Sequence, residues 1–221
     1  MKPKNLLLIG YDSNLALGVL FCLRGLGYNF FLLSHNRKNA ARFSRFIKTT
    51  HYYTDGKDDL KQRIIDLCNK HSIDFIFPYD ELEIRTVTSY KSELEQYATC
   101  LLGTDPTYFD IGIHKQNLAA FLHRHQLPSL PFVSLAQKNL VQEFIKNHPF
   151  PLLVKPVRMA SGRGIQKMFH ETELWTFLKE ESVAGSDFML QPFVVGTDIT
   201  CNVICINGKL QCYTIQESPV K

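Results

Sequence analysis

Residues 151–156 read Pro151-Leu152-Leu153-Val154-Lys155-Pro156, and residues 159–165 read Met159-Ala160-Ser161-Gly162-Arg163-Gly164-Ile165. An aliphatic run delivers a lysine to the end of a strand. A small, glycine-bearing turn follows, and a second apolar segment starts at Ile165. A lysine inside a buried strand is costly unless it has a partner. Its ammonium is a compact point charge suited to a phosphate oxygen. Glycines let backbone N–H groups approach an anion closely. The stretch therefore points to a polyphosphate held between two strands.

Working outward from it, Phe188 to Pro192 reads as another strand and Glu171 to Glu181 as a helix with the only tryptophan, Trp175, on its apolar side. Thr200 to Ile206 and Lys209 to Gln216 flank Asn207-Gly208, and an Asn-Gly pair between two β-rich runs is a strong hairpin signal. The last third is thus mostly antiparallel sheet with one crossing helix. Upstream, Ile113 to Asn117 leads into a helix reaching about His125. Gln126 to Pro131 is a proline-marked connector, and Gln137 to Asn147 is a further helix.

The first hundred residues alternate strand and helix. Leu6 to Ile9, Asn29 to Leu33, Asp74 to Pro78 and Thr99 to Leu102 are the strands. Leu15 to Leu26, Asp58 to His71 and Asp80 to Tyr97 are the helices, with Ser13 or Asn14 capping the first. Such alternation implies a parallel sheet covered on both faces. The expected fold class is α/β: a small doubly wound parallel-sheet domain over 1–103, then an α+β domain with antiparallel sheet over 104–221.

Composition narrows the function classes. With 45% hydrophobic and 21% charged residues the chain is an ordinary globular protein. No apolar run approaches the roughly 20 residues that span a bilayer, so no membrane partner is expected. The apolar run Leu6 to Ile9 is too short for a signal peptide and fits a first buried strand. The formal charge of +4 is mild and its basic residues are scattered, which argues against a nucleic-acid surface. Six cysteines lack any CxxC pair. They read as reduced, largely buried thiols of a cytoplasmic protein.

Three other constellations carry simpler readings. Gly10-Tyr11-Asp12 follows a strand, but the Gly-x-Gly-x-x-Gly pattern and the acid after the second strand are absent, so a nicotinamide site is not expected. Asp80 and Glu83 are spaced as a capping box, and Glu81 beside them sits where open sheets place ligands. His123 and His125 do not share a helix face.

This order of features resembles the ATP-grasp superfamily together with its preceding α/β domain, as in carbamoyl-phosphate synthetase and biotin carboxylase. The resemblance covers nearly the whole chain in organisation; its sharp motifs lie between Ile113 and Leu127 and between Phe150 and Val203. It implies that Lys115 and Lys155 are the two ATP-contacting lysines. Ser161, Gly162, Arg163 and Gly164 match the loop that closes over the β- and γ-phosphates. Gln191, Pro192, Phe193 and Val194 match the hinge at the adenine edge, and Asp198 the acid at the ribose hydroxyls. Family members commonly carry an acid where Gln191 stands, and Pro192 removes a backbone donor.

The resemblance further implies an ATP-dependent ligase that joins a small carboxylate to an amine or similar nucleophile through an acyl phosphate. Its Mg2+ ligands are expected beyond residue 221, so the stretch by itself is expected not to turn ATP over. A non-catalytic nucleotide-binding or interaction module is the alternative.

Overall fold

The computed structural model describes residues 3–54, 57–101, 103, 105–159, 162–180 and 187–217. The chain divides into two compact units, one ending at Ile113 and the other starting at His114. The sequence reading had set the boundary near Gly103.

The first unit is built on a five-stranded sheet, β1 (Lys4–Ile9), β2 (Tyr28–Ser34), β3 (Ile47–Tyr52), β4 (Phe75–Pro78) and β5 (Thr99–Cys100), in the order β3-β2-β1-β4-β5. Every pairing is parallel. Successive side chains of a strand point to opposite faces. Leu6 and Leu8 of β1 therefore enter one core with Phe30 and Leu32, beside Ala16 and Leu20 of α1 (Ser13–Leu23). Leu7 and Ile9 enter the other with Phe31 and Leu33, beside Leu60 and Ile64 of α2 (Lys57–His71). All four β1 side chains, Leu6 to Ile9, are essentially fully buried. That two-sided burial is why the strand reads as an unbroken apolar run rather than an alternation.

Three local expectations change. Asp12, not Ser13 or Asn14, caps α1: its Oδ1 accepts from the N–H groups of Asn14 at 2.7 Å and Leu15 at 3.0 Å. The single helix expected over Asp80 to Tyr97 is two, α3 (Glu81–Ser89) and α4 (Lys91–Leu94). They part at Tyr90, just after a Thr-Val-Thr-Ser run of weak helix formers. Strand β3 had no counterpart in the sequence reading, because as an edge strand it is largely polar, with no side chain fully buried. A short helix, α5 (Pro106–Gly112), closes the unit, with Asp105 as its cap.

The second unit holds α6 (Lys115–Arg124), β6 (Val133–Ser134), α7 (Lys138–Asn147), β7 (Leu152–Pro156), β8 (Gln166–Met168), α8 (Glu171–Glu180) and β9 (Phe188–Pro192). Its four-stranded sheet runs β6-β9-β7-β8 and is antiparallel throughout. Leu152, Val154 and Leu190 pack with Val141 and Phe144 of α7 and with Leu174 and Phe177 of α8. Trp175 packs at the edge of this core, its Nε1 donating to Glu171 at 2.8 Å. The hairpin β10 (Ile199–Ile206) and β11 (Lys209–Glu217) turns at Asn207-Gly208 as expected, and all its residues are exposed. Three cysteines, Cys201, Cys205 and Cys212, ride on it and Cys22 is also exposed. Only Cys68 and Cys100 are buried, so the thiols are free but not largely buried, because most sit on surfaces this structure leaves open.

Candidate functional site

The site follows from strand alternation in the second unit. Since Leu152 and Val154 face the α7–α8 core, Lys155 must face the other side of the sheet. In the antiparallel register Lys155 lies opposite Met189 and Leu153 opposite Gln191. Leu190 is in the core, so Met189 and Gln191 also face away from it. Helix α6 covers that second face: Ala119 packs with Met189 and Val157 in a small separate cluster. Between the sheet and the helix lies a cavity of about 290 Å³, lined by Lys115, Leu118, Ala119, Leu122, Ser129, Leu130, Lys155, Met189 and Gln191. Its volume is at the small end of the range for ligand pockets, and its aliphatic walls with a few polar groups are their usual composition.

Both lysines of the sequence reading therefore open onto one cavity. Lys155 Nζ donates to Gln191 Oε1 at 3.0 Å. Lys115 starts α6, its N–H bonded to the carbonyl of Val157 at 2.9 Å and its Nζ donating to the carbonyl of Met159. Burial lowers the pKa of Lys155 from its ordinary 10.5, the like charge of Lys115 adds to this, and the charge of Asp198 opposes it. Two ammonium groups that repel across a half-buried cavity make a place where an anion relieves both.

The remaining residues fall around this centre. Gly162 and Gly164 sit at φ +71° and +72°, a region that L side chains avoid. A Cβ on Gly164 would come within 2.8 Å of the Pro156 ring, whereas one on Gly162 would meet open space. Arg163 between them is exposed. Ser161 lies outside the described residues. Phe193 is under the ammonium of Lys167, 3.4 Å from its ring centre, and its N–H donates to the carbonyl of Pro151 at 3.1 Å. Val194 is exposed. The structure thus gathers Lys115, Lys155 and Gln191 on one cavity; Gly162 to Gly164, Phe193, Val194 and Asp198 are not among its lining residues. The apolar walls, Leu118, Leu122, Leu130 and Met189, escaped the sequence reading. Period-2 alternation from Lys155 and helical spacing from Lys115 would have found Met189, Leu118 and Leu122.

Known proteins place this arrangement. Residues 121–221 match the family described as D-ala D-ala ligase C-terminus. These residues, a little under half of the chain, are similar to that ATP-grasp ligase domain. Among sequence relatives, the carbamoyl phosphate synthase large chain of Sulfolobus acidocaldarius is 25% identical over 126 residues, 57% of this chain and 12% of that one. Among solved structures, the N5-carboxyaminoimidazole synthetase of Staphylococcus aureus complexed with ADP superposes with a TM-score of 0.76 at 15% identity, covering 100% of this chain and 56% of that one. An L-amino acid ligase of Bacillus licheniformis does so with a TM-score of 0.71 at 15% identity, covering 98% and 51%. These two structures establish the fold, and the chain spans about half their length.

The parallel sheet of the first unit has its own polar cluster, after β1, β3 and β4. Here the capping box is overturned. Asp80 makes no cap bond to α3. Its Oδ2 instead accepts from the N–H groups of Tyr11 at 2.7 Å and Asp12 at 2.9 Å. Glu83 is fully buried and accepts from the Tyr53 hydroxyl, while its other oxygen has no partner. Burial is the main reason its pKa lies above the ordinary 4.5. Long-range partners thus claim both carboxylates that local spacing would have assigned to the helix end. Glu81, at the head of α3, is exposed.

Among the described residues no three His, Cys, Asp or Glu side chains converge to hold an ion, so no step below is routed through one. No described helix is long and apolar enough to cross a membrane.

Proposed function

We propose that this chain is the nucleotide-binding portion of a ligase that activates a small carboxylate with ATP. The observation that carries the reading is the single cavity shared by Lys115, Lys155 and Gln191, apolar-walled and polar at one end. The fold it shares with a synthetase solved with ADP supports the same nucleotide here, and the carbamoyl phosphate synthase and L-amino acid ligase likenesses support a ligase. In this reading residues 1–103 form the preceding α/β domain and 104–221 the first part of the ATP-grasp domain.

The roles follow from chemistry. The base enters between α6 and the sheet, stacking on Leu118, Leu122 and Met189. Lys115 and Lys155 neutralise phosphate oxygens, the compact ammonium being suited to that task. The Ser161–Gly164 turn offers backbone N–H groups to the outer phosphates, with Arg163 available for a bidentate contact. Phe193 and Val194 border the base, and Asp198 meets the ribose hydroxyls. In the intact ligase a carboxylate oxygen attacks the terminal phosphorus and ADP leaves. The amine then attacks the acyl carbon, phosphate departs, and the nitrogen loses a proton. The protein's part is to position reactants and neutralise charge.

The 221 residues are proposed to bind nucleotide without turning it over. Phosphoryl transfer depends on metal ions that bridge phosphate oxygens, and the described residues bring no such donor set together. The same cavity serves, as a second reading, a binding module without turnover. Calorimetric titration of the 221 residues with ATP tests the shared part. Binding that Lys155→Met weakens is the expected result, and no binding at millimolar ATP would remove both readings. ADP release by the longer parent protein, supplied with candidate acids and amines, separates ligase from module.

A further inference from the structure

We infer that Gln191 makes this cavity accept a 6-oxopurine, so that inosine and guanosine triphosphates bind at least as well as ATP. The inference rests on the nucleotide reading above and deepens it. A lysine ammonium has donors only, so the atom of Gln191 that faces Lys155 Nζ is the amide oxygen, and the –NH2 group takes the other position. A glutamate there would carry a second oxygen, an acceptor for the 6-amino group of adenine. Glutamine carries a donor instead. Lys155 and Gln191 therefore present ammonium and amide N–H groups side by side, and the ammonium's three donors leave one for a phosphate oxygen and one for the purine beyond its bond to Gln191. Two adjacent donors match the N7 and O6 acceptors of hypoxanthine or guanine. Adenine places an acceptor and a donor at those positions.

The strand that carries Gln191 points the same way. The next residue, Pro192, has no N–H, and the N–H of Phe193 is already given to the carbonyl of Pro151 at 3.1 Å. Neither supplies a donor to N1 of adenine, which is an acceptor. N1 of a 6-oxopurine carries a hydrogen and needs none. At Gln191 the purine's 6 position thus loses the acceptor that would select an amino group over an oxo group. A site that offers no acceptor to a ligand's donor cannot select that donor over an oxo group.

The test is competition calorimetry on the full 221-residue chain with ATP, ITP and GTP, each with magnesium. ITP is the deciding probe because it differs from ATP only at the 6 position and N1. The expected dissociation constant for ITP is no more than about threefold above that for ATP, while Gln191→Glu shifts the ratio at least roughly tenfold toward ATP, the scale of one matched base contact. ATP bound more than about tenfold tighter than ITP by the unaltered chain overturns the inference and leaves the nucleotide reading standing. Absence of binding by all three nucleotides overturns both. Circular dichroism establishes whether Gln191→Glu is folded; if it is not, the wild-type ratio alone decides.

Discussion

Each unit places a glycine-bearing turn directly after a buried strand, and the two turns are built on opposite principles. After β1, Gly10-Tyr11-Asp12 is held from every side. Gly10 donates to the carbonyl of Leu33 at 3.2 Å, Asp80 takes the next two N–H groups, and Asn36 and Asn39 both donate to the carbonyl of Tyr11. A Cβ on Gly10 would lie 2.3 Å from the Tyr79 ring. Here glycine serves packing, and the turn's donors are spent on the protein itself. After β7, Gly162 and Gly164 occupy left-handed conformations, and Ile165 N–H to Gly162 carbonyl is the only backbone bond found in that turn among the described residues. Gly162 there serves conformation alone, and Arg163 beside it is exposed. A glycine after a buried strand thus marks a closed turn in one unit and an open one in the other, and only the open turn suits an anion.

The sharpest way to break this contrast is a paired alanine substitution. Gly10→Ala forces a methyl into the buried Tyr79 ring and is expected to cost about 3 kcal/mol of stability, at the upper end for overpacking. Gly162→Ala meets no neighbour and is expected to cost only about 1 kcal/mol, from its positive φ. Urea denaturation measures both, and equal losses would end the distinction between packing and conformational glycines.

Anchoring gives the next largest effects. Lys155→Met should weaken ATP binding roughly 30-fold, about 2 kcal/mol, with the melting temperature unchanged or higher because a half-buried charge is gone. Asp80→Ala leaves two backbone N–H groups of the closed turn without their acceptor and should cost about 2 kcal/mol of stability. It should leave nucleotide affinity within about twofold, since Asp80 is not among the cavity's lining residues. A large loss of ATP binding in Asp80→Ala would show that the closed turn also serves the ligand.

The smallest effect is a pH dependence. The pKa of Glu83 is higher in the folded protein than its ordinary 4.5, so the folded state favours the protonated carboxyl. The stability it contributes is complete below pH 4.5 and declines as pH rises from there toward the folded value. Glu83→Gln removes this decline. The variant should gain on the wild type between pH 4.5 and neutrality, read as denaturation midpoints at pH 4 and pH 7. A variant less stable at pH 7 than at pH 4, relative to wild type, would contradict the assignment.

The strands β1, β2, β4, β7 and β9 were legible as short apolar runs because each is covered by cores or helices on both faces. The lysine in β7 was legible because charge is rare in such a run. Strand β3 was not, since an edge strand needs few apolar residues. The helix expected from Asp80 to Tyr97 was legible as helical but not in its break at Tyr90. Asp80 and Glu83 show the general failure: their spacing satisfied a local rule, while their partners Tyr11, Asp12 and Tyr53 lie about 30 to 69 residues away.

What the chain order determined alone was the alternation of elements and the residue types at β7 and α6, because periodicity and turn chemistry are short-range. That Lys115 and Lys155, separated by α7 and the β6 strand, open onto one cavity was decided only by the antiparallel pairing of β7 with β9 and the seating of α6 upon it. The same pairing set Gln191 against Lys155 and so fixed which amide atom faces inward. Local sequence cannot encode a register between distant strands; packing both faces of the sheet selects it, since a one-residue slip would turn Lys155 into the core.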